Sequence, residues 1–301
     1  MTGAGSAEVA FTLEDEFGEG PGTDPTWHQP FIDVTVGSLS VEQALERSRQ
    51  PDDPTPAGSR PGDWEGALNV SGTLAGAEWH DLVFADDGTA LPTEPMEAPS
   101  ATWYLAVTLP DGSTEPRTPT GAIVPEATVN YEQGQDVTVD LTVLYGFEPD
   151  DVTEPGEIEQ PADEDAYQWH GANFDVDGMG QSLMQSASLS LAGLARFRRG
   201  QSRHPHSAVV DAIEPSFSTD ATFTERDQLA LAADDTQDSD VVDKTSATFS
   251  LENGQGETIE YDLDDCQPNS YDWSNLVAPE EDLSEPIDYH VGGVSATVTE
   301  A

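Results

Sequence analysis

Carboxylates are the commonest reactive groups in this chain: its 301 residues carry 59 Asp and Glu against 10 Lys and Arg. Two of them at a suitable separation could serve as acid and base in glycoside hydrolysis. With so many present, closeness in sequence selects no pair, and a solvated acidic surface is the simpler account. His204-Pro-His206 offers metal-ligand side chains in one loop, but no third ligand sits at a useful spacing, so ordinary loop histidines are expected. Asp175-Val-Asp177-Gly178 has the start of a calcium loop without the later ligands or the closing Glu, and reads as a strand followed by a turn. Cys266 is the single cysteine, which excludes an intrachain disulfide and a thiolate cage, and no motif around it suggests a nucleophile. No glycine-rich phosphate loop precedes a helix. Asn69-Val-Ser71 fits a glycosylation acceptor but lies inside a predicted strand. The chain is not expected to be an enzyme or to hold a cofactor or metal.

The cations are more informative. Arg47, Arg49 and Arg60 fall in one loop region of the first half, and Arg196, Arg198, Arg199 and Arg203 in the corresponding region of the second. Random scatter is one explanation and a DNA patch another. The preferred one is an intermolecular contact, because guanidinium groups pair bidentately with carboxylates on a neighbouring subunit. Brine screens exposed pairs, so such contacts would have to be partly buried to matter.

The formal net charge of −49, with Lys244 the only lysine, excludes a general nucleic-acid binder and a protein that docks on anionic lipid. No apolar run approaches the roughly 20 residues that span a bilayer, so no membrane is expected. Met1 to Ala10 lacks a basic segment followed by an apolar one, and no secretory signal is expected. High charge with low hydrophobicity can mean disorder. Here six Trp, seven Tyr and ten Phe sit within strand patterns, which favours a folded protein from a saline cytoplasm. Near 1 M salt the Debye length is about 3 Å, and like surface charges scarcely interact. The composition points to a halophile, and to an archaeal one.

The elements that must position these residues are mostly strands. Val9 to Leu13, Phe31 to Val36, Ala67 to Leu74, Trp103 to Leu109, Ala122 to Tyr131 and Val137 to Tyr145 carry strand patterns, the last two as a hairpin. Gly37 to Gln50 fits either strand or helix. Pro51 to Gly62 holds four prolines and reads as a long functional loop. Ala77 to Ala85 reads as a short amphipathic helix. Residues 150–165 read as an acidic linker. The second half repeats the order: strands near Phe174 to Val176, Ala187 to Leu191 and Pro215 to Thr219, a short helix over Thr224 to Ala233, strands at Ala247 to Leu251 and Ile259 to Leu263 around a turn at Asn253-Gly254, and a close over Val291 to Val298. Leu39-Ser-Val41 aligns with Leu189-Ser-Leu191, Arg49 with Arg199, Glu78 and Leu82 with Glu225 and Leu229, and Ala101-Thr-Trp103 with Ala247-Thr-Phe249, at a nearly constant separation. The expected organisation is an internal duplication: domain 1 over 1–149, the linker over 150–165, domain 2 over 166–301.

Leu13-Glu-Asp-Glu-Phe-Gly18, Trp27 after a Gly/Pro loop, a strand into the loop holding Ser59-Arg60-Pro61, Leu68 to Leu74 with its following helix, and the hairpin from Gly121-Ala-Ile-Val to Val143 together resemble the major tail tube proteins of tailed viruses. The resemblance is best in the first half. It implies an all-β fold with short helices: two tandem β-sandwich or barrel domains of the tail-tube type, each with one flanking helix and a long hairpin. It implies no active site. The implied role is structural, in a virion tail assembled in the host cytoplasm: stacked rings form a tube that conducts double-stranded DNA during ejection without binding it specifically. Six domains make a ring, so two per chain imply a trimer with pseudo-sixfold symmetry; a hexamer of chains is the alternative. Tape-measure and tail-terminator proteins are the implied partners, and the saline composition makes the virus a haloarchaeal one. The competing function is a halophilic extracellular or surface β-sandwich module that binds carbohydrate or protein.

Overall fold

Side chains that alternate between apolar and polar along most segments can satisfy both faces only as strands. The computed structural model describes residues 7–49, 51–52, 55–85, 88–93, 97–176, 179–180, 183–223, 232, 244–276 and 282–299, and these are nearly all β. The first half forms β1 (Ala7–Leu13), β2 (Trp27–His28), β3 (Ile32–Glu42), β4 (Glu46–Arg49), β5 (Pro56–Arg60), β6 (Glu65–Thr73), β7 (Ala101–Thr108), β8 (Thr114–Arg117), β9 (Thr120–Glu132) and β10 (Thr138–Phe147). The second forms β11 (Ile158–Glu159), β12 (Tyr167–Val176), β13 (Met179–Gly180), β14 (Met184–Ala192), β15 (Ala195–Arg199), β16 (Pro205–Val210), β17 (Glu214–Thr222), β18 (Thr245–Asn253), β19 (Thr258–Tyr271), β20 (Ser284–His290) and β21 (Gly293–Thr299).

One antiparallel sheet runs through both halves in the order β3-β6-β10-β9-β14-β17-β20-β19, with β19 contributing its C-terminal part. The joint between the halves is β9 against β14, in continuous register from Ser186↔Glu132 to Ala192↔Glu126. Further strands pack behind this sheet: β1, β7 and β8 in the first half, and β12, β18, β21 and the N-terminal part of β19 in the second. The sheet does not close on itself, so the fold is a sandwich and not a barrel.

The two halves repeat one pattern with matching registers. Leu39 faces Leu68 in β3–β6, and Leu189 faces Phe217 in β14–β17. A hairpin interrupts each pair. Arg49 faces Pro56 in β4–β5, and Arg199 faces Pro205 in β15–β16. The ambiguous stretch from Gly37 is therefore strand, and much of the expected long loop is the returning arm of a hairpin.

The main hydrophobic core spans both halves, from Phe11, Trp79 and Trp103 to Phe217, Phe249 and Tyr261. The expected helix over Ala77 to Ala85 is only a 3-10 turn, Glu78–Leu82. Ala77 supplies no side-chain cap, and the His80 amide donates to the Ala77 carbonyl at 2.8 Å, three residues back. The matching helix over Thr224 to Ala233 lies, apart from residue 232, outside the described residues. The acidic segment 150–165 is mostly exposed but fastened down. Its β11 pairs in parallel with β2, and Val152 and Ile158 pack beside Trp27 and Tyr104.

Candidate assembly surface

The long sheet has one core-facing and one polar face. On the polar face stand Ser38 and Ser40 of β3, Asn69 and Ser71 of β6, Asp140 and Thr142 of β10, Glu126, Thr128 and Asn130 of β9, Ser188 and Ser190 of β14, and Asp288 of β20. Short polar groups tie neighbouring strands: Asn130 donates to Asp140 at 2.8 Å, Ser188 to the Asn130 side-chain oxygen at 2.9 Å, and Ser270 to Asp288 at 2.7 Å. None of the eight strands carries a lysine or arginine. This face offers hydroxyls and carboxylates, and repels phosphate.

Both ends of the sheet are open among the described residues. β3 pairs only with β6, and the segment from Pro268 to Ser274 pairs on one side only, with β20 and Ser284. The core-facing side chains there are correspondingly bare: Val41 is 39 % exposed and Trp273 is 37 % exposed. At the closed joint the residues in matching positions, Leu191 and Val129, are both 1 % exposed. Open edges of this kind invite pairing with another chain.

The seven arginines of interest all lie on or beside the two hairpins. Arg47 and Arg49 are on β4 and Arg60 on β5. Arg196, Arg198 and Arg199 are on β15, and Arg203 is in the turn before β16. The second hairpin folds onto the first half. Ala195, Ala208 and Val210 pack on Ile123, with Phe17, Leu144 and Phe197 alongside. Arg199 reaches Glu65, lies 3.6 Å from Asp63, and donates to the Trp64 carbonyl at 3.3 Å. Arg203 donates to the Gly62 carbonyl at 2.9 Å. Arg196 pairs with Asp211 within its own hairpin at 3.0 Å. The first hairpin has no such cover: β4 and β5 are exposed nearly throughout, and Arg47, Arg49, Arg60 and Arg198 make no ion pair among the described residues.

The residues first considered for chemistry have structural positions. His204 donates from Nδ1 to the Gly146 carbonyl oxygen, 2.8 Å away, and its ring stacks on Phe147. Cys266 is buried and bonds to the Leu263 carbonyl; burial pushes its thiol pKa up to about 11, which keeps it protonated and unreactive. Asp175 lies in β12 and Asn69 in β6, while Asp177 and Gly178 lie outside the described residues.

Glu14, within the Leu13 to Gly18 motif, and His80 have structural roles that the sequence did not disclose. Glu14 accepts from the Gly18 amide (2.8 Å), the Ser100 hydroxyl (2.9 Å), the Thr102 hydroxyl (2.8 Å) and the Gly121 amide (2.9 Å), so it fastens the turn after β1 to β7 and β9. His80 is buried in the first half with its Nε2 2.9 Å from the Tyr261 hydroxyl of the second. Burial lowers the His80 pKa to about 3 and raises that of Tyr261, so both stay neutral. The motif marked Glu14, but its bonds to Ser100, Thr102 and Gly121 join distant segments and have no local signature, and a lone histidine carries none either.

The described residues thus form an all-β sandwich with two bare sheet edges, a face of hydroxyls and carboxylates, and one exposed arginine hairpin, β4–β5. A family model described as phage tail tube protein matches residues 6–291, and the chain belongs to that family. It is a structural component of the virion tail, of a kind that acts as an oligomer stacked into a tube. No curated protein matches the sequence.

Proposed function

We propose that the chain is two copies of one tail-tube unit and that three chains close a ring of pseudo-sixfold symmetry. The observation that carries this reading is the β9–β14 joint: two similar half-sheets already share one ladder inside the chain, while the two outermost edges stay open among the described residues. Closing those edges on neighbours completes a barrel from the polar face inward, and the rings then stack into the tube. Its lumen presents Ser, Thr, Asn, Asp and Glu, and double-stranded DNA slides past during ejection because no cation holds its phosphates. A tape-measure protein sets the length of such a tube and a terminator protein caps it. The acidic surface suits assembly in the cytoplasm of a haloarchaeal host, where salt screens repulsion between rings.

Cryo-electron microscopy of the purified protein in concentrated KCl tests this. Rings or tubes of threefold symmetry with six similar lobes are expected. Sixfold symmetry of whole chains would refute the trimer, and dispersed monomers at every salt and protein concentration would refute the tube.

A further inference from the structure

The joint inside the chain is a template for the joint between chains, down to the residue. Matching registers set the equivalences. β3–β6 and β14–β17 place Leu39 where Leu189 stands, and Ser38 where Ser188 stands. In the first half Asn130 pairs with Thr138 and Ala127 with Leu141; in the second Ser274 bridges Ser284 and Tyr271 pairs with Ile287. Residues 270–274 therefore stand where 126–130 stand. In the closed joint Leu189 faces Val129, Leu191 faces Ala127, and Ser188 faces Asn130 with their side chains hydrogen-bonded.

We infer that the outer edge of β3 docks antiparallel on residues 270–274 of a second copy of this chain, in the register Ser38↔Ser274, Leu39↔Trp273, Ser40↔Asp272, Val41↔Tyr271, Glu42↔Ser270, and that the β4–β5 hairpin clasps the same neighbour through Arg49 and its Glu214. The register puts Leu39 and Val41 against Trp273 and Tyr271 on the core side. The half-exposed apolar surface at both open edges then becomes buried, as it is at the closed joint. Ser38 and Ser274 meet on the polar face.

The clasp follows from the same equivalence. Arg49 occupies the position of Arg199, each opposite a proline in its hairpin. Glu65 and Glu214 each open the strand next to the hairpin, opposite Glu42 and Ala192. Arg199 pairs with Glu65 across the closed joint. Arg49 is exposed without an ion-pair partner, and so is Glu214, among the described residues. A guanidinium and a carboxylate on the two surfaces that this register brings together complete the pair.

This inference rests on the tube reading, and the test separates the two. The full chain carrying Ser38→Cys and Ser274→Cys is assembled in high salt and oxidised with diamide. A ladder of covalent dimers and trimers on a non-reducing gel is expected. The variant with Ser40→Cys and Ser274→Cys, displaced by one pair along the same face, should stay monomeric on the gel. Tubes that form but crosslink only in the displaced variant, or in neither, overturn the register and leave the tube intact. Failure of the wild type to assemble under any condition overturns the tube reading itself. In a second arm, Arg49→Glu and Glu214→Arg should each abolish tube formation, and the chain carrying both should recover it. Single variants that assemble like wild type, or a double variant that fails as the singles do, overturn the clasp.

Discussion

Acid should weaken this fold through His80 before it titrates the bulk of the carboxylates. The side chain is 2 % exposed, and burial lowers its pKa from 6.5 to about 3. In the unfolded chain the imidazole titrates near 6.5. Between these values the unfolded state takes up a proton that the folded state refuses. Stability is therefore full above about pH 6.5 and declines as the pH falls, approaching about 1.4 kcal/mol per pH unit. At pH 5 the loss amounts to about 2 kcal/mol. The assay is urea unfolding at about 1 M KCl, followed by tryptophan fluorescence, on wild type and His80→Gln. Salt mutes repulsion among the carboxylates, and the comparison of the two proteins cancels what remains. His80→Gln should be the less stable protein at pH 7.5, because it loses its fit beside Trp79, Phe84 and Tyr261. The gap should narrow by about 2 kcal/mol at pH 5. A gap that is constant with pH would show that His80 keeps its ordinary proton affinity when folded, and the reasoning from burial would be refuted.

Glu14→Ala strands two amides and two hydroxyls around the turn after β1 and should cost about 3 kcal/mol, read as a lowered denaturant midpoint; a change under about 0.5 kcal/mol would show that water replaces the carboxylate freely. Gly193 turns the chain from β14 into the second hairpin at φ +70°, and a Cβ there would sit 2.0 Å from the Ala212 carbonyl oxygen. Gly193→Ala should therefore destabilise the protein by about 2 kcal/mol or more and loosen β15–β16, seen as faster amide exchange in that hairpin. Thermal midpoints of the wild type should rise from about 0.15 M to about 1 M KCl as the Debye length shrinks from about 8 Å to about 3 Å; a flat response would mean that the charge of −49 is not a burden the fold carries.

The strands around Ala67 and Val137 were legible because each keeps one face apolar for the core, a local pattern with period two, whereas those around Trp103 and Ala122 are runs of apolar and small residues buried on both faces. The hairpin at β4–β5 was not, since nearly all its described side chains are exposed and no alternation marks it. Leu82 and Val83 at helical spacing beside Trp79 suggested a helix, yet a turn of five residues suffices where Trp79, His80 and Leu82 are all buried. The arginine clusters stood out as composition. That Arg199 and Arg203 serve a joint within the chain, while Arg49 is left exposed beside an open edge, depends on which hairpin has a neighbour to lie on.

The order of amino acids, by itself, determined the strand-rich class, the acid excess and the resemblance to tail tube proteins, because each is written in local alternation, charge count or short motifs. Only the tertiary structure decided that β9 and β14 share a ladder, that the outer edges of β3 and of residues 268–274 have no strand beside them among the described residues, that His80 meets Tyr261, and that Glu14 ties three segments together. Those contacts join residues far apart along the chain, and pairing between distant strands is chosen by burial and register across the whole sheet, which no local stretch of sequence contains.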